Sequence, residues 1–291
     1  MKADNGQNLQ DQRMLVVLAH PDDESFGMGG TLAHYAAQGV EIHLICATRG
    51  EVGEVGPEYM RGYDSIAELR EAELICAAGH LGLKKVHFLD YRDSGMPGSP
   101  DNDHPRALAG ADLDEVAGEI AGFIRELRPA VVVTFDPIGG YRHPDHIFIH
   151  RSATEAFQLA GNPEAPVGGE PYLPAKLYYH TISKRFLRFV VRLLRLLGKD
   201  PSRWGKNQDI DLTELAETTF PVHARIKYGH VVERKEAAAA CHASQSGSSL
   251  IGGFFGWLFK VLGFRDRDLF MRAYPEPEPG VVEKDLFAGL S

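Results

Sequence analysis

The chain has 291 residues, 44% hydrophobic and 24% charged, an ordinary composition for a globular protein with a substantial core. Its 40 acidic residues exceed its 31 basic ones, and the formal net charge of -9 argues against nucleic acid or an anionic membrane as partner. There is no apolar run of roughly 18 residues, so no transmembrane segment is expected. The polar stretch 1–13 lacks the apolar centre of a signal peptide, and the expected location is cytoplasmic.

Residues 1–13 read as a flexible N-terminus, 14–274 as one domain, and 275–291 as an extended tail opening on Pro275-Glu276-Pro277. Within the domain, apolar runs at 14–19, 41–48, 84–89, 130–135 and 176–181 predict buried strands. Helical patterns at 29–38, 65–81, 113–127 and 144–160 separate them. This alternation predicts an α/β fold, a Rossmann-like doubly wound and mostly parallel sheet with a C-terminal extension. The three cysteines, Cys46, Cys76 and Cys241, are far apart and show no paired spacing for zinc or a disulfide framework. Cys46 and Cys76 lie in apolar runs and are expected to pack as small core hydrophobes.

In such sheets ligands bind at the carboxyl ends of the strands. The first strand is followed by His20-Pro21-Asp22-Asp23-Glu24, and the fourth leads through Asp136 to Tyr141-Arg142-His143-Pro144-Asp145-His146. Pro21 holds His20 extended, so an imidazole and a carboxylate three residues on share one tight loop. Pro144 opens a helix in whose first turn residues three apart share a face. Each cluster alone has a plainer reading, since a lone His-Pro dipeptide is usually a turn and Asp-Asp-Glu after a strand can simply start a helix. Occurring together at two strand ends, they favour a metal site. Two imidazoles, a carboxylate and an open water position suit catalytic Zn2+, and the same donors suit Fe2+.

The clusters resemble the signature of the PIG-L/LmbE family of zinc-dependent deacetylases. Further matches are Gly29-Gly30-Thr31-Leu32-Ala33, Thr48-Arg49-Gly50-Glu51, Arg70-Glu71-Ala72-Glu73 and Asp90-Tyr91-Arg92-Asp93-Ser94-Gly95-Met96, with 235–245 resembling the family's C-terminal motif. The resemblance implies that His20, Asp23 and His146 hold zinc, and that Asp22 is the general base. It also implies that His143 is general acid or oxyanion stabiliser with Asp145 orienting it, and that Tyr141 polarises the carbonyl. Arg70, Asp93, Glu51 and His242 match positions that bind substrate, although Arg70 can equally pair with Glu71 or Glu73 and His242 can be a mere helix end. The implied reaction is removal of an acetyl group from an N-acetylglucosamine-type amide. Amidase action on a sugar-linked thiol conjugate uses the same ligand set.

A different class, nucleotide or sugar binding without catalysis, is less well supported. The run Gly27-Met28-Gly29-Gly30 lacks the full glycine fingerprint, and the acids before it would repel a pyrophosphate. Two apolar segments are left over. In 184–199 a basic stripe of Arg185, Arg188, Arg192, Arg195 and Lys199 runs beside an apolar face, and 250–264 carries Trp257 with several phenylalanines. They suit helix packing, a homo-oligomer contact, a lid or peripheral attachment to a membrane.

Overall fold

The computed structural model describes residues 9–203, 210–218, 220–245 and 266–290. The apolar segment 250–264 lies outside these residues. In chain order the elements are β1 (Arg13–Leu18), α1 (Asp23–Gly27), α2 (Gly29–Ala37), β2 (Glu41–Cys46), α3 (Ile66–Leu81), β3 (Lys85–Phe88), α4 (Leu113–Leu127), β4 (Val131–Phe135), a kinked turn α5 (Gly139–Arg142), α6 (Pro144–Gly161) and β5 (Lys176–Thr181). Then come α7 (Lys184–Leu196), α8 (Leu212–Glu217), β6 (Ala224–Lys227), α9 (Val232–Cys241) and β7 (Arg267–Tyr274).

The seven strands form one sheet in the order β3-β2-β1-β4-β5-β7-β6. Strands β1 to β5 are parallel, and at one edge β7 runs antiparallel to both of its neighbours, β5 and β6. The inner strands are buried on both faces, which explains why Met14–Leu18 and Val131–Phe135 read as unbroken apolar runs. The chain passes β1 to β2 to β3 outward in one direction and then returns across the sheet to β4. Right-handed crossovers therefore place α2 and α3 on one face and α4 and α6 on the other, and the strand order reverses between β1 and β4. A crevice at such a reversal is where ligands bind in open α/β sheets.

Local chemistry fixes the helix ends. Ser65 caps α3 by accepting the Glu68 N–H at 3.2 Å, and Gly82 ends it with φ of 80°. Asp112 caps α4 by accepting from Asp114 and Glu115. One buried cluster spans both faces of the sheet. A smaller one joins Leu187, Val190, Val191 and Leu194 of α7 to Leu212, Leu215 and Ala216 of α8, with Ile138 and Tyr141 against it. The apolar stripe of α7 is thus used in packing beside the α5 turn. Among the described residues no helix is long and apolar enough to cross a membrane.

Two expectations change. Cys76 is exposed rather than a core hydrophobe, and its sulfur is bonded to that of Cys241, so two distant cysteines do pair. Their sequence separation of 165 hid the relation, which exists only because α9 packs along α3. Cys46 is buried as expected. The chain after Pro275 is irregular, but it returns to the core, where Leu286 and Phe287 are fully buried and Tyr35 donates to Asp285 at 2.9 Å.

Candidate active site

The loops after β1 and β4 bring the two histidine clusters together. His20 Nδ1 lies 3.1 Å from His146 Nε2, and Asp23 reaches both, with Oδ1 3.2 Å from His146 Nε2 and Oδ2 3.7 Å from His20 Nδ1. All three side chains are buried.

The outer side of each ring decides what the inner side can do. His146 Nδ1 faces the carbonyl oxygen of Gly139 at 3.1 Å, and a carbonyl only accepts, so the ring proton is on Nδ1 and Nε2 is bare. Similarly His20 Nε2 faces Asp145 Oδ2 at 3.1 Å and Asp93 Oδ1 at 3.4 Å, which places the proton there and leaves Nδ1 bare. With both rings neutral, two lone pairs and a carboxylate converge, an arrangement that calls for a metal cation or a proton among them. Burial opposes charge on His20, but Asp93, Asp145 and Asp23 outweigh it and hold its pKa well above the usual value, so without a metal ion a proton on Nδ1 takes the place that the cation would fill. Likewise burial would raise Asp23, yet the imidazoles of His146 and His20 keep it well below the carboxylate range. Tetrahedral zinc with nitrogen and oxygen donors needs ligand atoms about 3.3 Å apart, close to the observed separations. The residues fit a divalent cation.

Asp22 adjoins this centre in a conformation that side chains rarely adopt, with φ of 115°. It is fixed at both ends: its N–H donates to Glu24 Oε2 at 3.0 Å, and its Oδ2 accepts from Arg70 at 2.9 Å. Burial lifts its pKa to about 6, against the pull of the Arg70 guanidinium. A carboxylate with that affinity can take a proton near neutral pH and give it back.

His143 caps α6. Its Nδ1 accepts the Asp145 N–H at 3.2 Å, so in the neutral ring the proton is on Nε2. Burial, with His20 and His146 nearby, pushes its pKa down to about 3. His143 is thus a neutral N–H donor. Tyr141 packs edge-on against His146 with ring centroids 4.9 Å apart. Burial and the charges of Asp23 and Asp22 hold its phenol well above the usual pKa, so it too is a neutral donor.

Several sequence-predicted residues sit at the site in other roles. Asp145 directs its carboxylate to His20 and to the Ser94 N–H at 2.9 Å, and offers His143 only its backbone. The orienting contact expected between Asp145 and His143 is therefore made to His20. Asp93 also turns inward to His20 and the Gly95 N–H, and lies only 4% exposed. Despite burial, His20 holds its pKa well below the usual range. Arg70 pairs with neither Glu71 nor Glu73; it clamps Asp22, the Pro21 carbonyl and the Gly50 carbonyl. Glu51 accepts the Asp93 N–H at 3.2 Å. His242 ends α9 and is fully buried, with Nε2 2.7 Å from Glu24 Oε1.

Glu24 escaped the sequence reading as a site residue. It is fully buried and joins His242 and Ser25 to the Asp22 backbone. A third consecutive acid directly after a buried strand was the available signal. Glu73, named in the sequence only as an alternative partner of Arg70, accepts both the N–H and the hydroxyl of Ser244 at 2.8 Å. Gly139 is required where it stands: its φ is 63°, and a Cβ there would lie 2.6 Å from that of His146.

Known proteins resemble this chain at three levels. Residues 15–157 match the family described as PIG-L, GlcNAc-PI de-N-acetylase. The 1D-myo-inositol 2-acetamido-2-deoxy-alpha-D-glucopyranoside deacetylase 2 of Catenulispora acidiphila is 37% identical over 316 residues, covering 99% of this chain and 100% of that protein. The conserved protein TT1542 of Thermus thermophilus superposes with a TM-score of 0.58 at 26% identity, covering 91% of this chain and 95% of the other. N,N'-diacetylchitobiose deacetylase from Pyrococcus horikoshii has the same fold, with a TM-score of 0.61 at 22% identity over 90% of this chain and 83% of that one.

Proposed function

We infer the activity from a premise that the relatives establish: this chain belongs to the PIG-L family of deacetylases. It is a hydrolase of the deacetylase type. The reaction we assign is zinc-dependent removal of the acetyl group from an N-acetylglucosamine-type amide, with a glucosaminide of inositol as the first substrate to test, since full-length relatives act on one. The observation that carries this reading is the convergence of His20 Nδ1, His146 Nε2 and the Asp23 carboxylate at cation-binding separations, beside an acid with a pKa near neutrality.

His20, Asp23 and His146 would hold the cation. When bound, it supplies a Lewis acid that polarises the amide carbonyl and makes an attacking water more acidic. Asp22 removes a proton from that water, and Arg70 keeps the resulting charge arrangement in place through its bond to Oδ2. As the carbonyl carbon becomes tetrahedral, His143 Nε2–H and the Tyr141 phenol serve as donors to the oxyanion. Between the two roles open to His143, its accepted backbone N–H and depressed pKa support oxyanion stabilisation. Asp22 then passes its proton to the departing nitrogen, and acetate and the free amine result.

The test is amine release from a panel of N-acetylglucosamine derivatives, the inositol glycoside included, before and after chelation and with zinc or ferrous ion restored. Activity is expected on at least one acetamide, lost on chelation and regained with metal. Turnover unaffected by complete metal removal would refute the assignment.

A further inference from the structure

A second set of metal-binding side chains lies on α3, two turns beyond Arg70. Cys76 and His80 are four residues apart on this helix, so they share a face. Helix α9 packs along that face and ends at Cys241. The Cys76 and Cys241 sulfurs are bonded, with Cα atoms 5.9 Å apart, and a ring nitrogen of His80 lies within 4.8 Å of both. Cys76 is exposed and Cys241 half-buried, so solvent reaches the cluster. Cys46 is different: it is 1% exposed, its thiol donates to the Thr48 carbonyl at 3.2 Å, and burial raises its pKa well above the usual value.

We propose that Cys76, His80 and Cys241 form a soft-cation site in the reduced protein, binding one zinc-like divalent ion through two thiolates and an imidazole, and that the disulfide is its oxidised, closed state. The donor set is of the kind borderline-soft ions select, whereas the centre at the strand ends contains no sulfur. The conversion balances simply. Two equivalents of a low-molecular-weight thiol supply two electrons, the Sγ–Sγ bond breaks, each sulfur takes a proton, and the external disulfide leaves. Cation binding then displaces the two thiol protons. Tetrahedral zinc requires its sulfurs about 3.8 Å apart, a change that side-chain rotation delivers with both helices in place. A fourth position remains for water or an outside ligand.

Either state ties α3 to α9. The Arg234 Nε–H bond to the His80 carbonyl at 3.0 Å keeps the helices in register meanwhile. In a compartment that reduces solvent-reachable disulfides, the cation-binding form is the resident one.

Cobalt(II) tests this independently of deacetylation, because a near-ultraviolet thiolate-to-cobalt charge-transfer band requires sulfur ligation. The reduced full chain, titrated anaerobically, should develop the band and saturate one equivalent above the C76S/C241S double variant, which should show none. The wild-type chain oxidised with diamide should also show none, a control that needs no substitution. His80→Ala should shift the titration midpoint to higher cobalt. Absence of the band from the reduced wild type would overturn the proposal, as would a band that survives in C76S/C241S.

Discussion

His20 Nδ1 and His146 Nε2 face each other at 3.1 Å, and the far nitrogen of each ring is engaged, by Asp145 in one case and by the Gly139 carbonyl in the other. That arrangement suits a shared cation, the role proposed for the pair. Replacing Asp23 or His146 with alanine should therefore abolish stoichiometric zinc in the oxidised chain, where the Cys76–Cys241 disulfide closes the other cluster. Asp22→Asn should keep zinc while lowering kcat by ~10²–10⁴-fold, the usual worth of a positioned base. Metal analysis alongside turnover checks this, and equal metal loss in all three variants would contradict the division of roles.

In the proposed mechanism Arg70 acts through its contact with Asp22. Burial lifts Asp22 to about 6 while the guanidinium pulls it down, so Arg70→Met should raise it further. The acidic limb of kcat/KM then moves to higher pH, by about one unit or more. An unchanged limb in a folded, metal-loaded variant would remove Asp22 or its Arg70 contact from the mechanism.

The α5 turn positions His146 through its backbone. Gly139→Ala must place a Cβ against His146 at a positive φ, and should cost about 1–3 kcal/mol in stability. Zinc affinity should fall with it. Chemical denaturation and competition with a chelator measure both, and unaltered affinity would show that the Gly139 carbonyl is not needed to hold the ring.

The His242–Glu24 pair gives a pH signature. Burial disfavours charge on His242, but the bond to Glu24 more than compensates, so its pKa is raised in the folded chain. A raised histidine pKa contributes stability that is complete below the unfolded value of about 6.5 and is lost as pH rises through the folded value. His242→Ala should therefore destabilise by roughly 3–5 kcal/mol at acidic pH, with a smaller gap from wild type in mildly alkaline solution. A gap that widens with pH, followed by urea unfolding, would reverse the assigned sign.

The parallel core was legible because buried parallel strands are continuous apolar runs: the predicted 130–135 and 176–181 are found as Val131–Phe135 and Lys176–Thr181. The antiparallel edge was not. In Ala224–Lys227 and Arg267–Tyr274, buried and less buried residues alternate over short lengths, and their pairing depends on contacts distant in sequence. Residue types at the candidate centre could be read because ligands cluster in two short motifs. The hydrogen bonds of Asp145 and Asp93 could not, since both reach to His20, which is distant from each in sequence, and only the packed loops bring them together. Cys76 and Cys241 were opaque for a related reason, being neighbours across two helices rather than along one.

The late-sequence residues that fasten the early loops set a timing for synthesis. A growing chain carries every candidate ligand, from His20 to His146, well before His242 exists to hold Glu24 and before Asp285–Phe287 exist to lock Tyr35. Until then the backbone of Asp22 lacks the buttress that keeps it in its left-handed turn. On the roles proposed above, the segment that carries the candidate metal ligands is made first, and activity should arrive in one late step, when the C-terminal residues have docked.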